Sequence, residues 1–255
     1  MSTLPLIFFG HGSPMNAIEH NVFTQGWRDA VQGIQAKAIL MISAHWDTPN
    51  LQVSANSLPP TIHDFGGFPP KLHASQYPAA GSPALAARIA ERTGAQLDER
   101  WGLDHGTWSV LMHTHPNADI PVVQLSINSR MSPKWHYELG QQLKPLRNEG
   151  VLLLASGNLV HNLRLLDWSN GQPVAWAERF LSFCRQALLA GNDAALLDYR
   201  SQGQDAALAV PHPDHLLPLF CLLGARDKTD TAELFNDAIT MGSLAMTSIK
   251  WSGAI

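Results

Sequence analysis

Leu40-Met41-Ile42-Ser43-Ala44-His45-Trp46 is a short apolar run that stops at a histidine. Apolar residues over this length, with no helical period, read as a strand buried on both faces. The first polar group past such a strand lies at the carboxyl edge, where open α/β sheets keep their sites. The same arrangement opens the chain, where Leu6-Ile7-Phe8-Phe9 runs into Gly10-His11-Gly12-Ser13-Pro14. It returns where Val151-Leu152-Leu153-Leu154-Ala155 runs into Ser156-Gly157-Asn158-Leu159-Val160-His161-Asn162. Three buried strands, each delivering a histidine, have a shared metal ion as their simplest physical reason.

Working outward, the segments between these strands alternate in period. Asn21 to Gly33 carries a partial apolar face at helical spacing, and a short alternation at Leu51-Gln52-Val53 suggests an edge strand. Ser82-Pro83 and Ser132-Pro133 each pair an N-cap with a proline at the first helical position, the first helix closing at Gly94. Pro145 should end the second one early. Ile120 to Ile127 is a further strand, Trp176, Phe180 and Phe183 mark a helix, and Ala194 to Gly203 reads as another. His215 falls in the first turn of a helix that follows Pro213, and Ile239 to Trp251 reads as strands returning to the sheet around a bend at Gly242. The expected fold is one α/β domain over residues 1–255, a central mixed sheet flanked by helices with the metal site at the strand ends. Pro59 to Pro83, rich in proline, glycine and aromatics, reads as a pocket wall or lid.

The chain has 255 residues, 45% of them hydrophobic and only 15% charged, with a formal net charge of −4. No run of Lys or Arg supplies the electrostatic footprint of a nucleic-acid or anionic-membrane binder. Small molecules are the expected partners. There is no signal-peptide pattern and no apolar window of bilayer length, so a soluble, cytoplasmic protein is expected. Cys184 and Cys221 lie in apolar helical contexts that suit buried free thiols.

Of the twelve histidines, His20, His73, His113, His115 and His136 lack flanking geometry and are expected in solvent. His11 stands between two glycines, which let the backbone turn and a ligand approach. His161 has polar neighbours that can orient an imidazole. His215 stands beside Asp214 at an expected helix N-terminus, where the dipole favours the neutral ring that a metal requires. His63 and His105 sit in loops of glycine and aromatics that suit a flat aromatic ligand. With so little cysteine, histidine ligands suit zinc or non-haem iron. No Gly-x-Gly-x-x-Gly follows a strand and no Gly-x-Ser-x-Gly elbow is present, which counts against nicotinamide and serine-hydrolase chemistry.

Gly10-His11-Gly12-Ser13-Pro14-Met15-Asn16, Ser43-Ala44-His45-Trp46, Pro60-Thr61-Ile62-His63-Asp64-Phe65-Gly66-Gly67-Phe68-Pro69 and Tyr77-Pro78-Ala79-Ala80-Gly81-Ser82-Pro83 resemble the class III extradiol ring-cleavage dioxygenases, and within them the 4,5-DOPA extradiol dioxygenase family. Gly102 to Trp108, Ser156 to Leu163 and Asp214 to Leu219 continue the resemblance along the chain. It implies one divalent metal at the positions matching His11, His45 and His215. His161 matches a histidine that either approaches the metal as a fourth ligand or acts as acid and base. The broader superfamily usually has a glutamate where this chain offers His215, which leaves iron(II) for turnover and bound zinc both open. The implied substrate is a catechol such as L-DOPA with O2 as co-substrate. His161 would take a catechol proton, which needs a ring titrating near neutrality. His105 and His63 would bond the substrate, and Trp46, Phe65, Phe68 and Trp108 would hold its ring. A zinc hydrolase of a small amide or ester and a non-catalytic metal-binding protein are the alternatives, and a monomer or small homo-oligomer fits either way.

Overall fold

The computed structural model describes residues 3–169 and 171–253. In chain order it contains β1 (Leu6–Gly10), α1 (Val22–Val31), β2 (Ala38–Asp47), β3 (Gln52–Ser54), α2 (Pro70–His73), α3 (Pro83–Thr93), β4 (Gln96–Asp98), α4 (His105–Thr114), β5 (Val122–Ile127) and α5 (Pro133–Leu143). There follow β6 (Val151–Gly157), α6 (Ala175–Leu189), α7 (Asp193–Leu197), α8 (Gln204–Ala209), α9 (Leu217–Ala225), β7 (Asp230–Phe235), β8 (Ile239–Thr240), β9 (Leu244–Ala245) and β10 (Ser248–Gly253).

The sheet runs β4-β3-β5-β2-β6-β1-β10-β7. Its centre, β5-β2-β6-β1, is parallel, while β3, β10 and β7 pair antiparallel with β5, β1 and β10 respectively. The apolar runs that opened the sequence are these central strands, and their continuity has the expected cause: both faces are covered. Leu6, Phe8, Leu40, Ile42, Leu153 and Ala155 pack under α3, α5, α6 and α9. Ile7, Phe9, Ile39, Met41, Leu152 and Leu154 pack under α1 and α4. Each such side chain contributes roughly 1.5–3 kcal/mol of transfer free energy. Because β6 lies between β1 and β2, the carboxyl ends of all three strands fall side by side. That edge carries the site.

Several local expectations give way. Ala194–Gly203 is not one helix: α7 stops at Leu197 and a 3-10 turn spans Tyr199–Gln202. His215 precedes α9 rather than sitting in its first turn, because Leu217 is the first helical residue and Pro218 occupies the next position. His105 is helical, the first residue of α4, where Asp104 caps the chain by accepting from the Thr107 amide. The strand near Leu51–Val53 is β3, which is not the edge, since β4 pairs outside it. Among the expected surface histidines, His113 and His136 are buried and hydrogen-bonded, to the Asn16 and Ser132 carbonyls respectively. Both cysteines are buried and free. Among the described residues no helix is long and apolar enough to cross a membrane.

Candidate active site

His11 follows β1 directly and is 1% exposed. Its amide donates to the Gly157 carbonyl (3.1 Å), its carbonyl accepts from Asn16 Nδ2 (3.0 Å), and its Nδ1 meets Ser156 Oγ at 2.8 Å. Ser156 stands opposite Ser43 on β2, so two hydroxyls mark adjacent strand ends. His45 lies two residues beyond Ser43, inside a register shift between Ile42 and Asp47. The Nε2 atoms of His11 and His45 face each other at 3.1 Å. Gly106 lets the first turn of α4 close on this pair: a Cβ there would lie 2.8 Å from His45 Cδ2 and 2.6 Å from Ser43 Oγ.

Two carboxylates support these rings. Asp64 accepts from the amide and Nδ1 of His105, both at 2.9 Å, and its Oδ2 lies 3.4 Å from His45 Nδ1. Burial works against the ionised Asp64, yet the bonds from His105 hold its carboxyl below the usual range. The bond to Asp64 uses Nδ1 of His105 and leaves Nε2 as its other ring nitrogen. Behind them Asp104 is wholly buried and accepts from Ser43 Oγ (2.7 Å), the Thr107 amide (3.1 Å) and Gln124 Nε2. Burial and the nearby Asp64 push its carboxyl up to about 6. The Asp104 network ties α4 to β2 and β5.

His161 and His215 come from loops rather than strand ends. The His161 amide donates to the Ala209 carbonyl, and the His215 carbonyl accepts from the Asn158 amide (each 2.9 Å). Gly157 makes the second contact possible, since a Cβ there would collide with the His215 carbonyl. The two rings stack at 3.5 Å and 8°. His215 is buried, yet neither ring nitrogen has a hydrogen-bond partner. Its Nδ1 lies 3.0 Å from Asp214 Oδ1 without the alignment of a hydrogen bond. Burial opposes ionisation of Asp214 too, but its contacts with His215 take it down to about 2.

Burial, and then repulsion from the neighbouring histidines, keeps His11 and His45 neutral well below pH 6.5. The same causes take His161 down to about 3. A ring expected to titrate near neutrality is therefore simply neutral there, because removing an imidazolium from water beside other rings is costly. Ligand nitrogens of His11, His45 and His105 lie within 4.8 Å of one another, as do ligand atoms of His161, Asp214 and His215. Neutral, buried imidazoles and two unpartnered nitrogens are what a divalent transition metal requires of its ligands.

These rings form the floor of a cavity of about 520 Å³. Phe65 and Phe68 line one wall, and Leu163, Leu166, Trp168, Met241 and Leu244 the other. The remaining expected ring-holders are elsewhere. Trp46 is buried and stacks on Trp101 at 5.4 Å, facing a separate surface depression. Trp108 is fully buried with Nε1 bonded to the Ile62 carbonyl, and its ring packs behind Phe65. His63 Nε2 is bonded to the Ser75 carbonyl, so it braces the wall without lining it. Conversely, Asp64 belongs to the site, although its place between His63 and Phe65 by itself assigns it no role. Its signal was a carboxylate inside an otherwise aromatic stretch, just as Ser43 and Ser156 were polar residues closing buried strands.

The family model for the catalytic LigB subunit of aromatic ring-opening dioxygenase matches residues 5–247. This chain belongs to that family. The 4,5-DOPA dioxygenase extradiol of Escherichia coli (strain K12) is 44% identical over 256 residues, covering 97% of this chain and 94% of the relative. That of Beta vulgaris is 38% identical, covering 96% and 95%. The crystal structure of an uncharacterized Escherichia coli K12 protein, JW3007, superposes with a TM-score of 0.84 at 38% identity, over 97% of this chain and 99% of that one. The protein is thus an enzyme, an extradiol ring-opening dioxygenase, and the histidine floor at the strand ends is its candidate centre.

Proposed function

We propose that this LigB-family enzyme opens a catechol such as L-DOPA beside its diol, using a divalent metal held by His11, His45 and His215. The observation that carries the ligand assignment is the buried His215 ring, whose nitrogens make no aligned hydrogen bond and which lies 5.3 and 5.0 Å from the His11 and His45 rings. Iron(II) is the working metal, and zinc the expected occupant of protein isolated in air. When bound, the metal polarises the diol oxygens and lets electron density pass from the ring to O2.

The chain's own residues do the rest. Phe65 and Phe68 offer aromatic faces and edges to the ring. His105, whose Nδ1 is held by Asp64, lines the cavity and takes a catechol proton through its other ring nitrogen. His161, neutral and stacked on His215, serves as a hydrogen-bond partner during turnover and as a fourth ligand in the zinc form. Four such ligands would leave a metal no open position, whereas His11, His45 and His215 alone would leave room for substrate.

The test is oxygen uptake by protein stripped of metal, reloaded anaerobically with iron(II) and given L-DOPA. The product's mass is recorded under isotopic O2 against zinc-loaded and His45→Ala controls. Both oxygen atoms should appear in a ring-opened product. Stoichiometric metal without uptake on any of several catechols overturns the reading.

A further inference from the structure

The two ends of the cavity differ in chemistry. Histidines form the floor, while the segment after His161 places three apolar side chains at the mouth: Leu163 and Trp168 are 58% and 81% exposed, with Leu166 between them. Soluble proteins seldom concentrate bare apolar surface at a site opening without a ligand to cover it. The segment is not loose. Ser243 Oγ donates to the carbonyls of Asn162 (3.1 Å) and Leu165 (3.2 Å), the Asp167 amide donates to the Met241 carbonyl (2.8 Å), and Asp167 Oδ1 accepts from the Ser169 amide (2.9 Å). Met241 and Leu244 of the β8–β9 hairpin continue the same surface, so the rim is braced from both sides.

Resting on the ring-opening reading, we propose that this rim receives the substituent of the catechol and selects alkyl or aryl chains over charged ones. A ring whose diol faces the histidine floor presents its far carbons to the mouth. A carboxylate carried there would lose water against leucine and tryptophan, and Asp64 and Asp214 add negative charge to the cavity walls. The described lining residues include no lysine or arginine to answer it. L-DOPA remains a substrate through its diol, but a poorer one than a catechol of equal size with an apolar tail.

The experiment is anaerobic calorimetric titration of the iron-loaded protein with catechol, 4-methyl-, 4-propyl- and 4-hexylcatechol, 3,4-dihydroxyphenylacetate and L-DOPA, followed by kcat/KM for each in air. Affinity should rise up to about fourfold per added methylene, the ratio expected for burying one such group. The hexyl compound should exceed L-DOPA by tenfold or more. The Leu163→Ala/Trp168→Ala double variant should flatten that gradient, and Trp168→Phe should keep it. A gradient that survives in the double variant, or equal affinity for the carboxylate compounds, overturns the proposal. Oxygen uptake without a gradient sinks the rim and leaves ring opening standing, whereas graded binding without uptake from any catechol does the reverse. Absence of binding sinks both.

Discussion

His11 and His45 sit on or just past strands that share β6 as a neighbour, and His45 lies beside Asp64 while Ser156 meets His11. His161 and His215 sit on loops, held by backbone hydrogen bonds, with both nitrogens of the His215 ring unpartnered. Both pairs have main-chain anchors, but His11 and His45 add aligned ring hydrogen bonds, whereas His215 has only the unaligned Asp214 contact at 3.0 Å and the stacked His161 ring. The contrast teaches that one floor is built in two ways: a strand-end half whose ring nitrogens have aligned hydrogen bonds, and a loop half whose buried His215 ring has none.

The sharpest way to break the contrast is His215→Ala. Metal content, measured by plasma emission, should fall to below about a tenth of stoichiometric, since removing one of three ligands removes much of the affinity. Full retention would transfer the third ligand to His105. His105→Ala should keep the metal while lowering kcat by roughly 10²–10⁴, the usual span for a lost acid–base group. Metal loss there would reverse the assignment. Asp64→Asn should weaken metal binding or activity by roughly 10–100-fold, typical of an orienting carboxylate. An equal effect from Asp214→Asn would erase the difference between the halves.

A last test is the stability of metal-free protein against pH. His11, His45 and His161 bind protons in the unfolded chain below about pH 6.5 but not in the folded one. Metal-free protein should therefore keep its full stability above that pH. It should lose up to about 1.4 kcal/mol per histidine per pH unit on going lower, towards about 3 for His161. Thermal melts between pH 7.5 and 5 check this, and a flat profile counts against neutral rings in the fold.

The central strands, with His11 just past β1 and His45 on β2, were legible because continuous apolar runs ending in a polar residue have few other readings, whereas His161 lies beyond the end of β6 on a loop. The α3 and α5 starts at Ser82-Pro83 and Ser132-Pro133 were legible because capping is local chemistry. β7, with its charged Thr231-Ala232-Glu233 alternation on the sheet edge, was not. Nor was α4, whose histidine and glycine start gives no apolar period and whose helical state depends on Asp104 capping from a buried network. The same limit explains Trp46 and Trp108: an aromatic near a site motif can face either side of a wall, and only packing decides which. Asp64 reaches His105 from 41 residues away, a pairing no local pattern encodes.

β1 lies between β6 and β10, so it pairs with strands beginning at Val151 and Ser248. The floor therefore rests on pairings between segments far apart in sequence, and such pairings form slowly. Until β6 is in place His11 lacks the Gly157 and Ser156 contacts that cradle it, so this part of the floor closes late in folding.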